Sequence, residues 1–201
     1  MKGLLLKDFY TLIKQVRFFL LILLLMAILP GTSMAPFVVL YAVMLPVSIL
    51  GYDERAKWDR YAAMLPYTKK SIVLSKYIMG YAGLFLASLL TVTGHVVYAN
   101  IKGSVIEAGY FYEMGVLVSI ALFYLAVHLP FMYKFGVEKG RLVFLALTAV
   151  VVFGLMYLSD KISKGLTLDP NDLLVYIIPA AIIANLVSIP VSIRIYEKKE
   201  F

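Results

Sequence analysis

Two histidines, one asparagine and one charged stretch are where chemistry could reside in this 201-residue chain. His95, His128 and Asn185 each lie within a long apolar run. An ionisable or amide side chain in such a setting is costly and marks a contact with substrate or protons. The same groups also serve as hydrogen bonders that tie helices together, and the residues alone leave both roles open. A zinc centre needs paired histidines or an H-E-x-x-H helix. His95 and His128 stand alone, with no acid one turn away and no cysteine anywhere in the chain, so no metal site, thiolate or disulfide is expected. Nucleotide hydrolysis needs a glycine-rich loop ending in Gly-Lys-Ser/Thr. Val137-Glu138-Lys139-Gly140 has those residue types without the spacing. No G-x-S-x-G offers a serine nucleophile. The chain reads as a non-enzyme that binds no cofactor of its own.

The charged stretch from Gly51 to Ser71 is different in kind. Asp53 to Lys76 hold three acids, six bases and the chain's single tryptophan, Trp58. The spacing predicts a helix over 53–65 that places Trp58, Tyr61, Ala62 and Leu65 on one face. Asp53 and Glu54 fall in its first turn, where acids suit the helix dipole, and Asp53 is placed to reach Lys57. Pro66 forces Leu65 out of the helical region and ends the element. Basic residues alone would say little, because any cytoplasmic loop between membrane spans is basic. An aromatic face on a short helix led by acids and ended by proline says more: it predicts a docking element.

The elements that carry this helix are membrane spans. The composition is 62% hydrophobic and the mean hydropathy is +0.89, beyond the range of soluble domains. Uncharged runs cover 18–52, 77–101, 114–133, 142–159 and 173–193. A crossing needs about 20 apolar residues, so the first run is long enough for two tight crossings and each of the others for one. The expected fold is an all-α polytopic membrane protein with six spans, near 17–34, 36–52, 72–99, 114–133, 142–159 and 173–193, in a single domain. A re-entrant hairpin over 18–52 is the alternative. Either way most lysines and arginines fall on one side, which places both termini and the 53–76 loop in the cytoplasm. The net charge of +7 is therefore a topology signal and carries little weight for nucleic acid. Residues 2–17 read as an amphipathic interfacial helix, with Leu5, Leu6, Phe9, Leu12, Ile13 and Val16 on one face and Lys7, Asp8, Thr11, Lys14 and Gln15 on the other. Gly80, Gly83, Ala87, Thr91 and Gly94 form a stripe of small residues along the third span, a close-packing seam.

The opening Met1-Lys-Gly-Leu-Leu-Leu-Lys-Asp-Phe-Tyr10 has relatives in one family. So, more strongly, do Tyr52-Asp-Glu-Arg-Ala-Lys-Trp-Asp-Arg-Tyr61, Leu65-Pro66 and Ile72-Val-Leu-Ser-Lys-Tyr77. Through them the chain resembles the permease subunits of bacterial type-2 ABC exporters, in the small six-span group that includes the phenol-soluble-modulin exporter permeases. The resemblance implies a dimer with a second copy or a paralogue in the bacterial cytoplasmic membrane. It implies two separately encoded ABC ATPase subunits, which would bind the ATP and magnesium. Residues 2–16 would then be the connecting helix, with Leu5, Phe9, Leu12 and Ile13 on its apolar face. Residues 53–65 would be the coupling helix, with Asp53, Glu54, Lys57, Trp58, Tyr61, Leu65 and Pro66 contacting the ATPase. His95, His128 and Asn185 are the candidates for a substrate path. The rival is a substrate-binding component of a vitamin-type ABC importer, which docks through a scaffold protein. A mostly apolar bundle suits an amphipathic or hydrophobic cargo, such as a peptide.

Overall fold

The computed structural model describes residues 1–15, 17, 21, 22, 25, 35–103, 108–163 and 170–199, without the side chains of 15, 108, 144, 155, 158–163 and 170–173. All regular secondary structure among them is helical. The helices are α1 (Lys2–Gln15), α2 (Ala35–Ala42), α3 (Met44–Arg55), α4 (Trp58–Met64), α5 (Lys69–Lys102), α6 (Ala108–Phe135), α7 (Val137–Ser163) and α8 (Pro170–Glu197). Among the described residues, four stretches are long and apolar enough to cross a membrane: Ala35–Arg55, Lys69–Lys102, Gly109–Phe135 and Leu174–Glu197. The apolar run 142–159 lies within α7, and most of the expected first span, 17–34, lies outside the described residues.

Proline shapes the helices. Pro46 has no N–H to give Ala42, and the chain steps through Val43, whose amide bonds Leu40 O at 3.2 Å, between α2 and α3. Pro130 likewise leaves the Ala126 carbonyl without its helical donor. Ser188 Oγ of α8 donates to that carbonyl at 2.5 Å, and Asn185 Nδ2 donates to Leu122 O one turn above at 2.9 Å. In hydrocarbon no water can take over such a group, so a neighbouring helix must. α6 and α8 accordingly share the most extensive helix pairing in the bundle. The same Ser188 hydroxyl and that of Ser192 bond Tyr77 OH of α5 at 2.6 and 2.8 Å.

The small-residue stripe of α5 packs within the chain. A Cβ at Gly80 would stand 2.6 Å from Leu125 Cδ1, and one at Gly83 would stand 2.7 Å from Leu45 Cδ1. α5 can therefore sit tightly against α3 and α6, around a core of Val38, Val39, Tyr77, Leu84, Tyr124 and Leu125. α5 is 34 residues long, about 50 Å at 1.5 Å per residue, so it overshoots the hydrocarbon core. Its first turns carry Lys69, Lys70, Ser75 and Lys76. Thr68 caps it, accepting the Ser71 amide at 3.2 Å.

Candidate functional site

The expected helix over 53–65 is two pieces. Helix α3, in the second half of the first apolar run, continues through Asp53 and Glu54 to Arg55, and α4 begins at Trp58. Between them Lys57 adopts a left-handed backbone, φ 51, a conformation a non-glycine residue holds at a cost of about 1–2 kcal/mol. The reason for the break is where the acids go. Leading an exposed helix would give each carboxylate about 0.3–1 kcal/mol, and both have stronger partners elsewhere. Asp53 accepts from Lys7 Nζ at 2.5 Å and from Lys76 Nζ at 2.7 Å, so its expected pairing with Lys57 is replaced. Glu54 accepts the Val137 amide at 3.0 Å. Pro66 ends α4 as predicted, with Leu65 in the extended region at φ −95, ψ 155.

The Asp53 contacts belong to a four-charge cluster. Lys76 Nζ lies 2.6 Å from Asp8 Oδ1, Lys7 Nζ lies 3.0 Å from the same oxygen, and Ser75 Oγ donates to Asp8 Oδ2 at 3.0 Å. Asp8 is 0% exposed, Lys76 1% and Asp53 7%. Two cations and two anions cancel, and each buried charge has at least two opposed partners or hydrogen bonds. Without such pairing, burial of this kind is prohibitive. Burial by itself would pull the Lys7 pKa down, but the Asp53 and Asp8 carboxylates outweigh it and hold the ammonium above the ordinary 10.5. The Lys7 ammonium also sits 4.5 Å from the centre of the Trp58 ring. One cluster thus clamps together α1, the end of α3, the start of α4 and the start of α5.

This arrangement divides both faces that the helical pattern predicted for α1. Its Asp8 is buried against the cluster, with Leu4 and Leu12 on either side, and Leu5, Lys7 and Thr11 are half-buried. Leu6, Phe9, Tyr10 and Ile13 face outward. Lys7, Asp8 and Thr11 turn toward the protein, Lys14 is exposed, and Leu6, Phe9 and Ile13 point away from it, as suits a helix lying against lipid.

Around α4 the charges are sorted. All three acids of the 53–76 stretch are engaged internally, Asp59 accepting from Tyr196 OH at 2.9 Å. Of the six bases, Lys76 is buried, and Lys69 donates to the Glu197 and Lys199 carbonyls at 2.9 and 3.3 Å. Arg55, Lys57, Arg60 and Lys70 are exposed. Within this basic rim lie Tyr61, Met64 and Leu65, which are 61%, 84% and 42% exposed. Ala62 is buried and Trp58 half-buried. The face predicted for Trp58, Tyr61, Ala62 and Leu65 is therefore divided, with Trp58 and Ala62 seating the helix and Tyr61 and Leu65 presented outward.

His95, His128 and Asn185 are each held by contacts from a neighbouring helix. His95 stacks on Tyr110, ring centres 3.8 Å apart and nearly parallel. His128 is fully buried and its Nε2 donates to Gly140 O at 2.9 Å. Asn185 donates to Leu122 O and Ala181 O and accepts from Tyr81 OH at 3.0 Å. Each is bound into helix–helix packing. Above Asn185 an apolar groove opens sideways between α5, α6 and α8, lined by Phe85, Leu89, Val118, Leu122 and Ile182. Among the described residues no cluster of three or more histidines and acids could hold a metal.

Lys7, Asp8, Ser75 and Lys76 are the residues that sequence reasoning missed. The available signal was Lys76. It lies a full turn or more inside α5, flanked by the buried positions Ile72, Val73, Tyr77 and Gly80, where a lysine must have acid partners from elsewhere.

Set against known families, residues 3–197 match the model of the ABC-2 family transporter protein. No curated protein and no solved structure matches. The match takes in nearly the whole chain, from α1 through the ion cluster to the end of α8, and agrees with a bundle of membrane-length apolar helices. The chain belongs to the ABC-2 transporter family and is a type-2 ABC permease.

Proposed function

We propose that this permease is the membrane half of an ATP-driven exporter in a bacterial cytoplasmic membrane, with a separate ABC ATPase docked on α4. The sorting of charge around that helix carries the proposal. Its acids are committed to internal bonds, and Tyr61, Met64 and Leu65 stand out from a rim of Arg55, Lys57, Arg60 and Lys70. Apolar side chains so exposed beside a basic rim fit a cleft with an apolar floor and acidic edges. ATP and magnesium are bound by the ATPase, two subunits serving a pair of permeases, either two copies of this chain or this chain and a paralogue. Six spans put both termini and α4 in the cytoplasm.

Closure of the ATPase pair moves α4. The ion cluster obliges α1 and the starts of α5 and α4 to follow as one body, because separating them would strand buried charges. The cargo is amphipathic or hydrophobic, supported by the apolar groove between α5, α6 and α8. Energy reaches it only through contacts that differ between the inward and outward arrangements.

The test is purification from native membranes in mild detergent. An ABC ATPase should accompany the unaltered chain in equal amount. Tyr61→Ala with Met64→Ala should lower it at least tenfold while leaving the melting temperature unchanged. An ATPase retained by the double variant, or one arriving only with a second membrane scaffold, would sink the proposal; the latter outcome fits the importer component.

A further inference from the structure

The last turn of α3 carries an acid outside the ion cluster, and its structural partner is the chain itself and not the ATPase to which the resemblance assigned it. Glu54 Oε2 accepts the amide of Val137, the first residue of α7, at 3.0 Å. That amide is one of those at a helix start with no intrahelical acceptor, and the carboxylate also meets the positive end of the helix dipole. Gly136, just before it, is left-handed at φ 83, and a Cβ there would stand 3.3 Å from Glu54 Oε1. Glycine thus both turns the chain and leaves room for the carboxylate.

The rest of the foot of α7 is fitted to the same contact. Gly51 lets Val137 approach α3, since a Cβ there would stand 3.3 Å from Val137 Cγ1. Val47, Met132 and Val137 form a buried cluster beneath it. From α6, His128 holds Gly140 O. Among the described residues α7 packs on α6 and, at this foot, on α3.

We propose that Glu54 is the positioning residue that passes movement of the docking helix α4 to α7. The proposal rests on the ATPase-docking function above. α4 hangs from α3 through the left-handed Lys57, so a push on α4 displaces the last turn of α3. Glu54 is the group of that turn that holds α7. With the cap in place α7 follows; without it, α3 shifts and α7 stays packed on α6.

The chain has no cysteine, so two introduced ones can be labelled cleanly. Phe123→Cys on α6 and Phe153→Cys on α7 are both at exposed positions. With the ATPase complex in nanodiscs, the spin-label distance between them is measured without nucleotide and with ATP and vanadate. Hydrogen exchange at the Val137 amide is followed in parallel. The distance should shift in the Glu54→Gln variant as in the unaltered background, because a side-chain oxygen still accepts the amide. In Glu54→Ala the shift should vanish, ATPase binding should stay within twofold, and Val137 should exchange at least tenfold faster. If Glu54→Ala fails to accumulate, Gly136→Ala replaces it with the same expectations. A preserved shift in the Ala variant, no shift in the unaltered background, unchanged exchange at Val137, or release of the ATPase by Glu54→Ala would each overturn the role given to Glu54. Absence of any ATPase from the unaltered chain would sink the docking function instead, and the exchange arm would still judge the cap.

Discussion

Replacing Lys76 by methionine is the sharpest perturbation of the ion cluster. The substitution keeps much of the side-chain volume and removes one charge from a site that is 1% exposed. It leaves Asp8, 0% exposed, and Asp53, 7% exposed, with only Lys7 between them. Removing one partner of a buried ion pair costs about 3–5 kcal/mol, because the remaining charge is left uncompensated. For a chain of this size each kcal/mol lowers Tm by roughly 2–4 °C, so Lys76→Met should lower it by roughly 6–20 °C. Thermal unfolding in mild detergent, followed by the fluorescence of Trp58, reads this directly. The decisive arm is the double variant Asp8→Asn with Lys76→Met. It restores charge balance as a single Lys7–Asp53 pair, and the introduced amide still accepts from Ser75 through its oxygen. The double variant should recover at least half of the loss, a coupling of about 1.5 kcal/mol or more between residues in direct contact. If Lys76→Met costs less than about 0.5 kcal/mol, the four charges behave as solvated surface groups. If the double variant is no better than the single, packing and not charge holds α1 to α5. Either result refutes the cluster as a clamp.

Two further outcomes test the membrane part. Ser188→Ala should cost about 1–3 kcal/mol by leaving the Ala126 carbonyl unsatisfied. In a Pro130→Ala background, where a backbone N–H is restored to that carbonyl, the same change should cost clearly less when Tm values are compared. Gly83→Leu should cost about 1–3 kcal/mol or more, since even a Cβ there would press to 2.7 Å on Leu45. Cross-linking of introduced cysteines on α3 and α5 should then become slower than in the unaltered packing.

The chain itself dictated the apolar helices, the short exposed helix around Tyr61 and its stop at Pro66. Each follows from local rules: uncharged length, small residues at helical spacing, and the steric demand of proline on Leu65. The family was also legible, because its marks are contiguous residues around Trp58. What needed the tertiary structure were the partners of the charges. Asp53 and Glu54 read locally as helix-leading acids, yet Lys7 and Lys76 are 46 and 23 residues from Asp53, and Val137 is 83 residues from Glu54. Helical periodicity counts Lys7 and Asp8 as a solvent face, since it records polarity and not what lies opposite. The same is true of Asn185 and His128, whose chemistry depends on which carbonyls other helices bring within reach. Local sequence determines what each segment can be. The pairing of distant charges decides which of its faces turns inward, because in a membrane-bound fold an unpaired charge costs more than any propensity can offset.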